Sequence, residues 1–401
     1  MKKLISQAEA HAAIDLHLLP FPAIACPIEK CAGRILRQPI CADRPFPPFD
    51  RAMMDGYALR ADDLQTGDTL QIIGRIDAGS QPPPIDFIPH SCLEIMTGAV
   101  VPDYVDCIVP VEETEKLTER AIRLCQPDTI RRGDYIHPCG SDETAGTQLL
   151  APGNRLGSRE IALAATCGHT HIEVSKKPSL CLIGTGDELV EISQTPQPHQ
   201  IRRSNTAALQ AALARNHIPA GNQVHLPDEL DGTLHMLDRL IGQNDVVLIT
   251  GGISMGRKDF IPEALDSLGC QNHFHGVRQK PGKPFGFWSR NGCAVFALPG
   301  NPVSALVCLH HFVLPALGKA AGRTGTDLPT LVTLTSAAEA HPYLHRFLPV
   351  QRLPGNRACA KPFQNSGDMI RLLESDGYVV LPPDIKNSDA TGTEFAFHTW
   401  Y

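Results

Sequence analysis

The 13 cysteines of this chain include no Cys-x-x-Cys pair and are scattered singly. That pattern and the odd count argue against a zinc site and against a disulfide framework, leaving most cysteines as small buried hydrophobes. Basic charge is also scarce: 36 Lys and Arg stand against 43 Asp and Glu, a formal net charge of -7. This balance argues against nucleic acid as a partner, although the local pairs Arg131-Arg132 and Arg202-Arg203 suit a small anion. Met1-Lys2-Lys3-Leu4 opens like a secretory signal, but Gln7, Glu9, His11 and Asp15 interrupt any apolar core. No later run reads as long enough to cross a bilayer, so no membrane contact and a cytoplasmic location are expected. The chain carries no internal repeat and no low-complexity segment.

What is there is enough for several cores. At 401 residues with 42% hydrophobic and 20% charged residues, the chain reads as three or four globular domains. Residues 4–40 begin with helical spacing (Ala8, Ala12, Leu16, Leu19) and continue as extended chain. After the stiff Pro45-Phe46-Pro47-Pro48-Phe49 come short strands at Thr69 to Ile76, Ser91 to Met96, Asp106 to Val111 and Ala121 to Cys125. Residues 141–176 return to helix, with Ser158 as its N-cap, and rejoin the N-terminal segment, so that the β segment is an insertion. From Lys177 strands and helices alternate, which implies right-handed βαβ units and a mainly parallel sheet. After Gly322 the alternation gives way to short strands. The expected fold is therefore multidomain α/β and β: a discontinuous N-terminal mixed segment (1–44 and 141–176), an inserted β domain (45–140), a central three-layer α/β domain (177–324), and a C-terminal β-barrel-like domain (325–401).

The chemistry-bearing residues gather around 245–304. Val246-Val247-Leu248-Ile249 is an uninterrupted aliphatic run, the pattern of a strand buried on both faces. It runs into Thr250-Gly251-Gly252-Ile253-Ser254-Met255-Gly256, whose glycines let backbone N–H groups approach an anion, and Asp259 follows where a helix should begin. Lys280-Pro281-Gly282-Lys283-Pro284 holds two ammonium groups on one turn. Ala294 to Leu298 leads to Pro299-Gly300-Asn301-Pro302, in which Asn301 as N-cap and Pro302 at the first position start a helix. With Gly184-Thr185-Gly186-Asp187-Glu188, three strand ends carry polar clusters, and in an open α/β sheet the ligand lies beyond such ends. Each residue has a plainer structural reading on its own. Asp259 and Asp228 suit N-caps, Asp187 and Glu188 complement a helix dipole, Lys280 and Lys283 suit a solvated turn, and Thr97 and Asp55 suit turns. Their recurrence at successive strand ends favours one shared Mg²⁺ and phosphate site.

Taken together, the ordered motifs resemble the molybdopterin molybdenumtransferase family, the MoeA type that also includes the C-terminal region of gephyrin. The motifs are Met54-Asp55-Gly56-Tyr57-Ala58, Ile95-Met96-Thr97-Gly98-Ala99, Thr185-Gly186-Asp187-Glu188-Leu189, Gly251 to Gly256, Lys280-Pro281-Gly282-Lys283-Pro284-Phe285, Leu298 to Ser304 and Ser366-Gly367-Asp368. The resemblance implies an elongated homodimer with shared sites that takes adenylylated molybdopterin and molybdate, inserts the metal and releases AMP, with Mg²⁺ as cofactor. It implies Glu188, Asp228 and Asp259 as the acidic group, with Glu188 and Asp259 on the metal. Lys280, Pro299 and Pro302 would line the pocket, Asp55 and Thr97 would come from the partner subunit, and Ser366 from the closing domain. Gly251, Gly252, Ser254, Lys283, Gly300 and Asn301 complete the expected cofactor-binding set. Contact with a molybdopterin adenylyltransferase is a further implied partnership. Two positions depart from the family pattern: Asp134 sits one residue early, and Arg278 stands near where some members carry Lys. The competing readings are a molybdopterin adenylyltransferase and a non-catalytic gephyrin-like scaffold.

Overall fold

The aliphatic run at 246–250 is the inner strand of a six-stranded sheet in the computed structural model, which describes residues 4–226, 229–253, 260–325, 330–362, 364–383, 385 and 390–400. The strand order is Gln223–Leu226, Leu180–Thr185, Val246–Thr250, Cys293–Leu298, Gly286–Arg290, Gln271–His275. The first four run parallel, and the last two add antiparallel at one edge. Alternate residues explain the continuous apolar runs. Leu180, Leu182, Val246, Leu248, Ala294 and Phe296 face one core, whereas Cys181, Ile183, Val247, Ile249 and Val295 face the other. Each such fully buried aliphatic side chain contributes about 1.5–3 kcal/mol. Helices cover both faces, giving the expected three layers: Ser204–Arg215 and the run from Pro302 on one side, Leu230–Gln243 and Ile261–Ser267 on the other. The two antiparallel strands were not anticipated. Gln271-Asn272-His273-Phe274-His275 carries too few apolar residues to read as a strand, because an edge strand needs only part of its surface covered.

Around this sheet several local expectations are corrected. The N-terminal helix Gln7–His17 buries Ala10 and Ile14, followed by Leu18, and not the face of Ala8, Ala12, Leu16 and Leu19; Leu16 is 76% and Leu19 56% exposed. Both stripes have helical spacing, so periodicity alone could not choose between them. Its start is a capping box, with Ser6 Oγ accepting from Glu9 N at 3.1 Å and Glu9 Oε2 from Ser6 N at 2.6 Å. The helix Ser158–Thr166 begins at the expected cap itself, which moves the cap position one residue back to Gly157. Gly157 O accepts from Ile161 N at 3.0 Å, and Gly157 N donates to Glu160 Oε2 at 2.9 Å. Contrary to the reading that no run is long enough to span a bilayer, Pro302–Ala320 is a 19-residue helical run of mean hydropathy 1.4, with 61% of it buried. It packs Val303, Leu309, Phe312 and Val313 into the protein core, which accounts for its apolar character.

The chain separates into two compact units: 1–38, 152–161 and 171–401 form the first, and 39–151 with 162–170 the second. In the first, Ala23–Pro27 pairs antiparallel with His171–Ser175, so the segments flanking the intervening chain meet. Its C-terminal strands Thr330–Leu334, His345–Leu353, Arg357–Ala360, Gly377–Leu381 and Glu394–Thr399 close into a five-stranded barrel around Val332, Leu348, Val350 and Val379. The short strand Gln279–Lys280 joins His345–Leu353 in parallel. The second unit holds a six-stranded sheet in which Gly56–Leu59 lies between Cys107–Pro110 and Ser91–Ile95. The 13 cysteines are all free and nine are buried, as their scattered spacing implied.

Candidate functional site

A cleft of about 730 Å³ opens in the first unit at the carboxyl ends of the parallel strands. Its walls come from three loops that follow strands: Gly184 to Glu188, Thr250 to Ile253, and Pro299 to Pro302. The switch from strand to helix at each end explains why glycine, hydroxyl and proline residues concentrate there. Two helices begin at the cleft, Ser204–Arg215 and the run from Pro302, so unpaired helix N–H groups and dipole ends are available to an anion. Arg202 and Arg203, the pair read as suited to a small anion, also line it. Arg203 is ion-paired with Glu191, and Arg202 Nε donates to Gln194 O at 3.0 Å.

The loops are held in register by side chains from outside the glycine motifs. Asn205 Nδ2 donates to Thr250 Oγ1 at 2.9 Å and to Gly300 O at 2.7 Å, while Thr250 Oγ1 donates to Pro299 O at 3.1 Å. Asn205 thus fastens two strand ends together. It begins a predicted helix next to Arg202-Arg203-Ser204, and that position at a strand-to-helix switch was the signal available for it. His275 Nε2 lies 2.9 Å from Ile253 O and anchors the exit of the glycine loop. Thr185 Oγ1 is buried, lines the cleft and has no hydrogen-bond partner among the described residues. The loop crosses close above it: a Cβ on Gly251, whose φ is +97°, would lie 2.7 Å from that oxygen. Gly186, at φ +135°, has a similar relation to the acid, because a Cβ there would meet both Glu188 carboxylate oxygens at 2.7 Å. Glu188 is the one carboxylate lining the cleft among the described residues.

The other expected residues fall as follows. Gly251, Gly252, Pro299, Gly300, Asn301 and Pro302 all line the cleft. Asn301 is N-cap by position, but its Nδ2 donates to Ser366 Oγ at 2.6 Å in place of a capping bond, and Val303 N donates to Ser366 O at 3.1 Å. The Ser366-Gly367-Asp368 loop therefore docks on the start of this helix. Of the Lys-Pro-Gly-Lys-Pro turn only Pro284 reaches the wall; Lys280 and Lys283 are exposed on the same turn. Asp228, Ser254 and Asp259 lie outside the described residues. Arg278 is 3.9 Å from Glu9 Oε2 near the N-terminal helix, and Asp134 Oδ2 accepts from Arg131 N at 2.6 Å.

In the second unit, Asp55 and Thr97 are brought together at the paired ends of two strands. Asp55 Oδ1 accepts from Thr97 N and from Thr97 Oγ1, both at 2.6 Å. These two bonds, the hydroxyl first, hold the exposed Asp55 carboxyl below its ordinary pKa, so it stays ionised into acid. The set of groups lining the cleft suits oxyanions: amides, helix N-termini and guanidinium groups. The Glu188 carboxylate also suits Mg²⁺, which commonly takes one or two carboxylates and fills its remaining positions with water and substrate phosphate oxygens.

Comparison with known proteins gives a consistent result. The family model described as the MoeA N-terminal region (domain I and II) matches residues 5–168, and that described as a probable molybdopterin binding domain matches residues 181–319. A molybdopterin molybdenumtransferase of Synechocystis sp. is 35% identical over 406 residues, covering 99% of this chain and 100% of that protein. One from Synechococcus elongatus is 34% identical, covering 92% of this chain and 94% of its own length. A molybdopterin biosynthesis moeA protein from Pyrococcus horikosii superposes with a TM-score of 0.80 at 28% identity, with full coverage of both chains.

Proposed function

The chain belongs to the molybdopterin molybdenumtransferase family, and we propose that its cleft inserts molybdenum from molybdate into adenylylated molybdopterin, releasing AMP and forming the molybdenum cofactor. The observation that carries this reading is the meeting of three strand-end loops and two helix N-termini in one cleft. Molybdate is a tetrahedral dianion, and it needs oriented donors that cost no reorganisation when it binds. The Gly251-Gly252 and Pro299-Gly300 loops, held in register by Asn205, supply a pre-set backbone for it. Bound Mg²⁺ would neutralise charge on the phosphate link, with Glu188 as its holder among the described residues and Asp259 as the second expected ligand. Arg202 and Arg203 bring positive charge to the same wall, and Lys280 and Lys283 stand on the turn that ends in the cleft at Pro284.

The proposal extends to the assembly. The active form is a homodimer in which the Asp55–Thr97 pair of one subunit completes the cleft of the other. The four-part division into 1–44 with 141–176, 45–140, 177–324 and 325–401 belongs to the same reading, supported by the separate cores around Ile95, Ile249 and Val350. A cytoplasmic location and contact with a molybdopterin adenylyltransferase are further parts of it. The deciding assay is molybdate-dependent AMP release from adenylylated molybdopterin by the purified protein. Glu188→Gln should lower that release by about a hundredfold or more, the scale seen when one electrostatic contact to a transition state is lost, with an unchanged melting temperature. Normal release by the variant would remove Glu188 from the site.

A further inference from the structure

A second cleft, of about 1480 Å³, lies in the first unit at the other end of the central sheet. It is reached by Lys176 to Pro178, just before the strand at 180–185 begins, and by Arg215 to Ile218, just after the helix at 204–215 ends. These are the amino ends of the strands, whereas the strand-end loops of the candidate site follow their carboxyl ends.

Charge distinguishes this cleft from the rest of the chain. The protein carries a net charge of -7, yet the described residues of the lining include eight Lys and Arg, of which Lys319 is ion-paired with Asp15 at 2.6 Å, and one acid, Asp376. Asp376 is already engaged, its Oδ2 accepting from Arg352 N at 2.8 Å. On one wall Arg34 donates to Ser175 O from Nη2 at 2.5 Å, which ties its guanidinium to the backbone just before Lys176 and Lys177, and all three line the cleft. Both lysines are exposed and have no ion pair among the described residues. The Arg352 guanidinium sits 5.4 Å from the centre of the Phe397 ring, forming a flat cationic and aromatic surface. Ile218, Leu314 and Leu353 add apolar wall between the charges. A concave site lined by one sign of charge focuses its potential and concentrates counter-charged ligands.

We propose that this cleft is a second ligand site, for a phosphorylated aromatic heterocycle of the nucleotide or pterin-phosphate kind. Phosphate pairs with Arg34, Lys176 and Lys177, and the ring stacks on the Arg352 and Phe397 surface. The inference does not depend on the assignment of the strand-end cleft.

The test is calorimetric titration of the full-length protein with ATP, AMP, neopterin phosphate and inorganic pyrophosphate, without added Mg²⁺. The three heterocycles should bind, and their ranking separates the nucleotide from the pterin source. The double variant Lys176→Ala, Lys177→Ala should bind about tenfold or more weakly, since each lost contact to a charged group is worth about that factor. Arg352→Gln should weaken the heterocycles more than inorganic pyrophosphate. Molybdate-dependent AMP release and melting temperature should stay unchanged in the double variant, because both lysines are exposed. Undiminished binding by the double variant, or equal affinity for pyrophosphate and ATP, would each overturn the proposal. Tighter binding of a hexaglutamate peptide than of any heterocycle would overturn it in favour of an acidic protein segment.

Discussion

Thr185 keeps a buried hydroxyl without a partner among the described residues, directly beneath the loop that carries Gly251 and Gly252. Such a group costs about 1–3 kcal/mol relative to a satisfied one, so its retention points to a ligand that completes it. Thr185→Val keeps the branched shape and deletes the oxygen. The expected result is a melting temperature equal to or above that of the parent, together with about tenfold weaker molybdate binding, corresponding to one lost hydrogen bond to a charged group. A fall in melting temperature with molybdate affinity intact would show that the hydroxyl serves the fold alone. Glu188 and Asp55 illustrate two other residue-level devices. Glu188 has room over its loop only because residue 186 lacks a side chain, and Asp55 is kept ionised by the two donors of Thr97.

Among the elements, the helical run from Pro302 departs from α geometry at Leu309–Val313, which forms a π turn. Pro315 follows after Leu314, and its missing N–H removes one of the bonds that would have continued regular winding. The turn presents His310 edge-on to Trp400 at 5.5 Å, and His311 to Phe347 at 4.9 Å and to His398 at 5.3 Å. Burial holds His310 down to about 4 and His311 well below its ordinary value, so both are neutral in the folded protein at pH 7. The unfolded chain protonates these rings near about 6.5. Between that value and about 4 the unfolded state therefore binds more protons, and stability falls as pH is lowered through this window. Urea midpoints measured from pH 7.5 to 4.5 should show the decline, and His310→Leu should flatten it. An identical slope in the variant would mean that the acid sensitivity resides elsewhere.

At the scale of the whole molecule, a shared site makes a sharper prediction than dimerisation alone. Asp55→Ala and Glu188→Ala should each abolish AMP release as pure proteins. After unfolding and refolding together in equal amounts, about one quarter of the parent activity should return, because half of randomly assembled dimers are mixed and each holds one intact site. No recovery would place both residues in the site of a single subunit, and full activity of pure Asp55→Ala would place Asp55 outside it. The large basic cleft belongs to this scale too, since its lining draws on the N-terminal segment, the α/β domain and the barrel.

By itself the sequence determined which segments would be strands of the central sheet and where its polar ends would be. Strands such as 246–250 and 293–298 are covered on both faces, so burial is written into them as uninterrupted apolar runs, and glycine and proline mark where those runs must stop. The motifs carrying the family resemblance were equally legible, being local in the chain. Only the tertiary structure decided which face of the Gln7–His17 helix is buried, that Gln271–His275 would pair at an edge, and that five C-terminal strands would close on themselves. It alone assigned Asn205 to Gly300 and Asn301 to Ser366. The reason is physical: periodicity records that a residue is covered, whereas the identity of its partner is set by sheet order and loop docking, which bring together positions far apart in the chain.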